Sequence, residues 1–239
     1  YAFTDWNVYL KEISFIGLEN FRAILNHKVM ALAIRNTALF ALLTTIGKNV
    51  LGLALALLVD RGIRFRNGFR AIFFAPAVLS YIVIGLLFTA ILNPSGPLNN
   101  GLSLIGLGSL ARHWIADRSI VMFTLSAVEV WQWSGFHMAI YLAGLQTIPR
   151  ELNEVAIIDG AGSVQRLFRV TLPLIMPSFN VNVIVALISG FKVFDLVFIL
   201  TNGGPGFASE VVSTQIYTIM GQGRWGEATA FNLLLLMGV

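Results

Sequence analysis

The 239-residue chain has no cysteine, three histidines and only 12% charged residues. Without cysteine there is neither a disulfide framework nor a thiolate metal site. His27, His113 and His137 fall on different segments, with no i, i+4 pair to hold a metal. A phosphate-binding loop is also missing, because Gly47-Lys48 is preceded by Leu42 where that pattern requires glycine. No nucleophile and base constellation is present, so the chain by itself reads as neither an ATPase nor any other enzyme.

What is there is apolar. Hydrophobic residues make up 56% of the chain, and the mean hydropathy is +0.78, whereas a soluble domain carries about 25% charge. A helix needs about 20 apolar residues to cross a bilayer, because its backbone polar groups must be paired internally. Four runs are long enough: Asn36 to Val59, Ala71 to Leu92, Ile120 to Leu145 and Leu174 to Leu200. A fifth begins near Ala228 and stops at Val239. The expected fold is all-α, a polytopic helical membrane protein. The first residue is Tyr1 and the last run is short, so the reading is of one transmembrane domain over 1–239, truncated at both ends. Its parts are an external segment (1–35), three spans (36–145), a loop (146–173) and the last spans (174–239). Leu18 to Leu32 carries apolar residues at Leu18, Phe21, Leu25, Val29 and Leu32, the pattern of an interfacial helix.

Basic residues orient the spans. Residues 60–70 hold Arg61, Arg64, Arg66 and Arg70, and the loop from Gln146 to Pro173 holds Arg150, Arg166 and Arg169. Both are assigned to the cytoplasm. Lys11, Arg22, Lys28 and Arg35 in the external segment run against the bias, but per residue the inner loops are richer. This bias accounts for the net charge of +4, leaving little reason to invoke nucleic acid.

The cytoplasmic loop has its own logic. Pro149 suits the first turn of a helix, and Glu151 places negative charge at its positive end. A short helix is predicted to about Asp159. Gly160 and Gly162 are suited to a left-handed stop, and Ser163 to capping a second helix to about Val170, before Thr171 and Pro173 restart the chain. Ala156, Gly160 and Ala161 leave room for another surface to approach, and Glu154 and Asp159 offer carboxylates for it. The plainer alternative is a solvated loop with capping residues.

Four charges, Lys48, Glu129, Lys192 and Asp195, fall at membrane depth, where polar groups face the bundle or a water-filled cavity. Lys192 and Asp195, three apart, are expected on one helical face. A structural ion pair and contact with a substrate are both open. Trp131-Gln132-Trp133 and Phe136 form a mixed aromatic and polar platform of the kind that holds sugars, although membrane aromatics also serve as packing and interface anchors.

The segment Glu154, Val155, Ala156, Asp159, Gly160, Ala161, followed by Phe168, Leu172, Pro173 and Pro177, resembles the EAA loop of permease subunits of binding-protein-dependent ABC importers. Val155 stands where the pattern has alanine. Phe3-Thr4-Asp5-Trp6, Phe15 to Phe21, Phe194-Asp195 and Leu200 to Gly206 are similar to the sugar-transporting branch with the maltose and glycerol-phosphate permeases. The resemblance implies about six spans in the full subunit, about five of them represented here, in a bacterial or archaeal cell (inner) membrane. It implies a heterodimer with a second permease subunit, two ATP-binding subunits that carry ATP and Mg, and an extracytoplasmic solute-binding protein. The permease itself would bind no cofactor. Sugar would then be moved by alternating access, with Glu154, Ala156, Asp159, Gly160, Ala161, Leu172 and Pro173 coupling to the ATPase. By position relative to the maltose permease, the substrate path would include Trp131, Gln132, Trp133, Phe136, Gly190 and Val193, with Lys192 and Asp195 beside them. An ion-coupled secondary transporter using Glu129 or Asp195, and an ABC permease for a non-sugar solute, are the alternatives.

Overall fold

Apolar runs without competing backbone partners close their hydrogen bonds internally, so helices dominate. The computed structural model describes residues 1–9, 12–26, 28–60 and 65–238. Lys11, His27, Arg61 and Arg64, and the side chains of Leu25 and Arg150, lie outside what it describes. In chain order the helices are α1 (Glu19–Asn26), α2 (Lys28–Asp60), α3 (Arg66–Val78), α4 (Tyr81–Ile91), α5 (Pro97–Leu104), α6 (Val121–Gln146), α7 (Arg150–Ile158), α8 (Ser163–Arg166), α9 (Leu172–Leu174), α10 (Met176–Phe191), α11 (Asp195–Leu200), α12 (Val212–Gly221) and α13 (Trp225–Gly238). Among the described residues the β structure is one isolated bridge, Thr4 to Phe15. The all-α expectation holds.

The spans are less regular than expected. Among the described residues one unbroken helix, α2, is long and apolar enough to cross a membrane, and up to three crossings result if each of two bent pairs is one span. The expected span Ala71 to Leu92 is broken between α3 and α4 by a 98° bend. Pro76 lacks the N–H that would continue the ladder, Leu79 is extended, and the Ser80 hydroxyl accepts from Val83 N to start α4. The expected span Leu174 to Leu200 is also interrupted. A 72° bend precedes Met176, and α10 ends at Phe191, so Lys192 and Asp195 do not share a helical face. Asp195 instead begins α11, where a carboxylate meets the positive helix end.

The predicted interfacial helix over Leu18 to Leu32 gives way to the eight-residue α1, and Lys28 already belongs to α2. Ile24 is buried and Phe21 packs beside it, so the apolar face of α1 is turned to protein.

The chain forms two compact units. The first comprises residues 1–43, 80–128 and 188–239. One of its cores gathers Phe40, Ile84, Leu125, Leu196 and Leu200, with α4 lying on α11. A second gathers Ile24, Met30, Ile219 and Phe231, where α1 and α12 rest on α13. The second unit comprises residues 44–79 and 129–187, with a core of Ala56, Val59, Met138, Tyr141, Leu142 and Ile175. Gly135 permits a close helix crossing there, since a Cβ at this position would overlap the Phe73 carbonyl and come within 2.8 Å of Phe74 Cα.

Candidate functional site

The loop between α6 and α10 folds into a bracket of two short helices. Pro149 is the N-cap of α7, and Glu151 lies in its first turn. At the other end Gly160 takes φ +79°. Its N–H donates to Ile157 O at 3.0 Å, and the Ala161 N–H donates to Ala156 O at 2.9 Å. These two bonds form a Schellman motif, in which a left-handed glycine lets the chain satisfy the last helical carbonyls. The small residues of the pattern thus close a helix end. Ala156 is buried, at 8% exposure, and supports the turn from within.

Gly162 departs from expectation, with extended φ and ψ of −66° and 164°, and it, not Ser163, is the N-cap of α8. The second helix is also not uniformly α, since residues Leu167–Thr171 form a π turn. Leu172 packs against the second unit's core, whereas Pro173 is exposed in the first turn of α9.

The outer face of the bracket carries Glu154 and Asp159, both exposed. Between them stand Val155, Ile157 and Ile158, with exposures of 54%, 56% and 83%. The sequence reading missed the two isoleucines. Their signal was available, because apolar residues directly before an Asp-Gly helix end cannot all turn inward. Val155, the departure from the EAA pattern, is on this exposed face.

The substrate-path candidates divide between the units. In the second unit Trp131 is exposed, and Trp133 and Phe136 are half-buried with ring centroids 5.9 Å apart in an edge-to-face arrangement. Gln132 is buried, and its Nε2 donates to Leu79 O at 3.3 Å. In the first unit Gly190 and Val193 are buried, while Lys192 and Asp195 are exposed at the break between α10 and α11 and form no ion pair with each other. Phe194, Phe198 and Tyr217 cluster beside that break, with centroids 5.1–5.5 Å apart.

The other two of these four charges meet. Lys48 Nζ donates to Glu129 Oε1 at 2.9 Å, with both side chains buried. Nearby, Tyr141 Oη donates to Asn49 Oδ1 at 2.5 Å, and His137 Nδ1 donates to Asn182 Oδ1 at 2.7 Å. These three polar pairs all lie within the second unit's helices.

The loop after α11 is fastened to α2 in the first unit. Asn36 Nδ2 donates to Glu210 O at 2.9 Å, and Val212 N donates to Thr37 Oγ1 at 3.0 Å. Gly203, at φ +79°, lies so near the Glu210 carboxylate that a Cβ would collide with it. Burial pushes the Glu210 carboxyl above the usual carboxylate range, partly opposed by a hydrogen bond donated by Thr214.

Residues 48–239 match the family described as binding-protein-dependent transport system inner membrane component. A probable ABC transporter permease protein, YurN of Bacillus subtilis, is 39% identical over 98% of this chain and 81% of its own length. The multiple sugar-binding transport system permease protein MsmF of Streptococcus mutans is 32% identical over 99% of this chain and 81% of its own. Among solved structures, a bacterial ABC transporter involved in import of the acidic polysaccharide alginate superposes with a TM-score of 0.82, at 28% identity, covering 92% of this chain and 78% of the other.

Proposed function

The chain belongs to the binding-protein-dependent transport system inner membrane components, and we propose that it is the permease subunit of an ABC importer that moves a sugar, an oligosaccharide or a sugar derivative, into the cell. Relatives named for multiple sugars and for trehalose and maltose, and the alginate importer, support the sugar class. A second permease subunit, two ATP-binding subunits that hold ATP and Mg, and an external binding protein complete the machine. The observation that carries the reading is the bracket, whose exposed isoleucines lie between two carboxylates on a face rigidly closed by the Gly160 turn.

In this account Glu154 and Asp159 pair with basic groups on an ATPase subunit while Ile157 and Ile158 enter an apolar socket. Closure of the ATPase pair pushes on α7, and the π turn and α9 carry that push toward α10. Ligand and nucleotide act at separate sites, so each must favour a different global state. Trp133 and Phe136 offer edge and face surfaces to a sugar ring. Lys192 and Asp195 offer charge-assisted hydrogen bonds to hydroxyl or carboxylate groups.

The test is uptake into proteoliposomes holding the assembled transporter, with ATP inside and sugar-loaded binding protein outside. Uptake is expected to require both and to persist when ionophores collapse proton and sodium gradients. Uptake that follows an ion gradient without ATP would overturn the reading. Comparing neutral with acidic oligosaccharides in Lys192→Met then assigns the charge preference.

A further inference from the structure

Two adjoining cavities lie beneath the bracket, entirely within the second unit. One, of about 430 Å³, is bordered by Arg166 on α8, and the other, of about 500 Å³, by Arg66 and Arg70 on α3. They share a wall of Asp60, Leu145, Ile148 and Asn153. Arg66 and Arg70 are four residues apart and so lie on one face of α3. Among the described residues that line it, three guanidinium groups stand against one carboxylate, that of Asp60, and leave this space positive.

Two of the arginines also carry an unpaired donor, while Arg66 is exposed. Nε of Arg70 and Nε of Arg166 are both shut off from solvent, and neither has a hydrogen-bond partner among the described residues. A buried donor on a charged group is costly when unpaired. Guanidinium forks match the oxygens of a phosphate or phosphodiester, and the volumes suit a small headgroup.

Position selects the source of that phosphate. The shared wall is built from the last residue of α2 (Asp60), the end of α6 (Leu145), Ile148 just after it and Asn153 on α7, at the foot of the long apolar α2. Phe65, Phe69 and Ile72 on and beside the start of α3 are exposed, at 80%, 38% and 67%, and offer apolar surface to acyl chains. A docking ATPase does not supply the right sign, because the bracket's own Glu154 and Asp159 call for a basic partner.

We propose that this double cavity binds the headgroup of an anionic phospholipid, with Arg66, Arg70 and Arg166 on its phosphate and the lipid chains against Phe69 and Ile72. The lipid would brace the base of the bracket. This rests on the membrane-permease reading for the placement of the cavity, but not on the identity of the transported solute.

Native mass spectrometry of the assembled transporter, titrated with phosphatidylglycerol or with phosphatidylcholine of the same chains, tests it. Wild type is expected to retain phosphatidylglycerol selectively. Arg70→Gln with Arg166→Gln is expected to weaken that retention about 30-fold, from the typical contribution of two basic residues. Equal retention of both lipids by wild type would overturn the proposal whether or not the variant folds. So would unchanged phosphatidylglycerol affinity in a variant that melts normally. Displacement of the lipid by equimolar inorganic phosphate would make this a soluble-anion site instead. Loss of the ATPase subunits from the variant in lipid-free detergent would assign the arginines to that contact and also overturn the proposal.

Discussion

Lys48 Nζ and Glu129 Oε1 lie 2.9 Å apart with side-chain exposures of 1% and 3%. The pair joins α2 to α6 in the second unit, the arrangement of a structural ion pair. A group so enclosed cannot reach a substrate without leaving its partner. Breaking a buried ion pair by removing one member costs about 3–5 kcal/mol, whereas replacing both by apolar residues is often neutral. Glu129→Leu alone should therefore lower the melting temperature of the purified transporter sharply. Lys48→Met with Glu129→Leu should recover most of the loss, as measured by thermal unfolding in detergent.

Gly135→Ala should be among the most damaging conservative changes in the chain. Its methyl group would meet the backbone of Phe73 and Phe74, which cannot rotate away as a side chain can. Overpacking costs about 1–3 kcal/mol where neighbours can relax, and more where they cannot. Gly101→Ala, with open space around it, is the control, and the yield of monodisperse protein on gel filtration separates the two.

At Gly160 the constraint is conformational. A Cβ there has nothing within 4 Å, but φ is +79°, so alanine adds strain of about 1–2 kcal/mol without a clash. Gly160→Ala should leave the bundle folded, with a nearly unchanged melting temperature, yet reduce stimulated ATP hydrolysis by loosening the face formed by Ile158 and Asp159.

Glu210 gives a pH dependence with a definite sign. Its folded pKa is raised from the ordinary 4.5 by burial. The folded state therefore binds this proton more tightly than the unfolded one, and the associated stability is full below about pH 4.5 and lost as pH rises through the folded value. Glu210→Gln should flatten this part of the melting temperature against pH profile.

The sequence made the helical class, the long α2 and α6 segments and the bracket legible, because apolar length and a Pro–Gly-bounded loop are local signals. Gly160 was readable for the same reason, since only a glycine is unstrained in that helix end. Gly162 was misjudged as a second left-handed stop because glycine suits an N-cap as well, and by taking that role it moves Ser163 into the first turn of α8. The breaks after Val78 and Phe191 were hidden by continuous hydropathy, which records transfer free energy and not helix direction. The pairing of Lys48 with Glu129, 81 residues apart, was open among four charges until α2 and α6 were seen side by side. The inward turn of Gln132 depends on helix rotation, which the largely apolar α6 encodes weakly, whereas the outward turn of Ile158 was readable from its place directly before the Asp159-Gly160 helix end.

The most direct measurement of the central claim is ATP hydrolysis by the assembled transporter in liposomes, with and without sugar-loaded binding protein, for wild type and Glu154→Ala. The account predicts strong stimulation in wild type and its near loss in the variant, with subunit assembly and melting temperature unchanged. Stimulation in Glu154→Ala equal to wild type would contradict the assignment of the bracket's exposed face as the coupling surface.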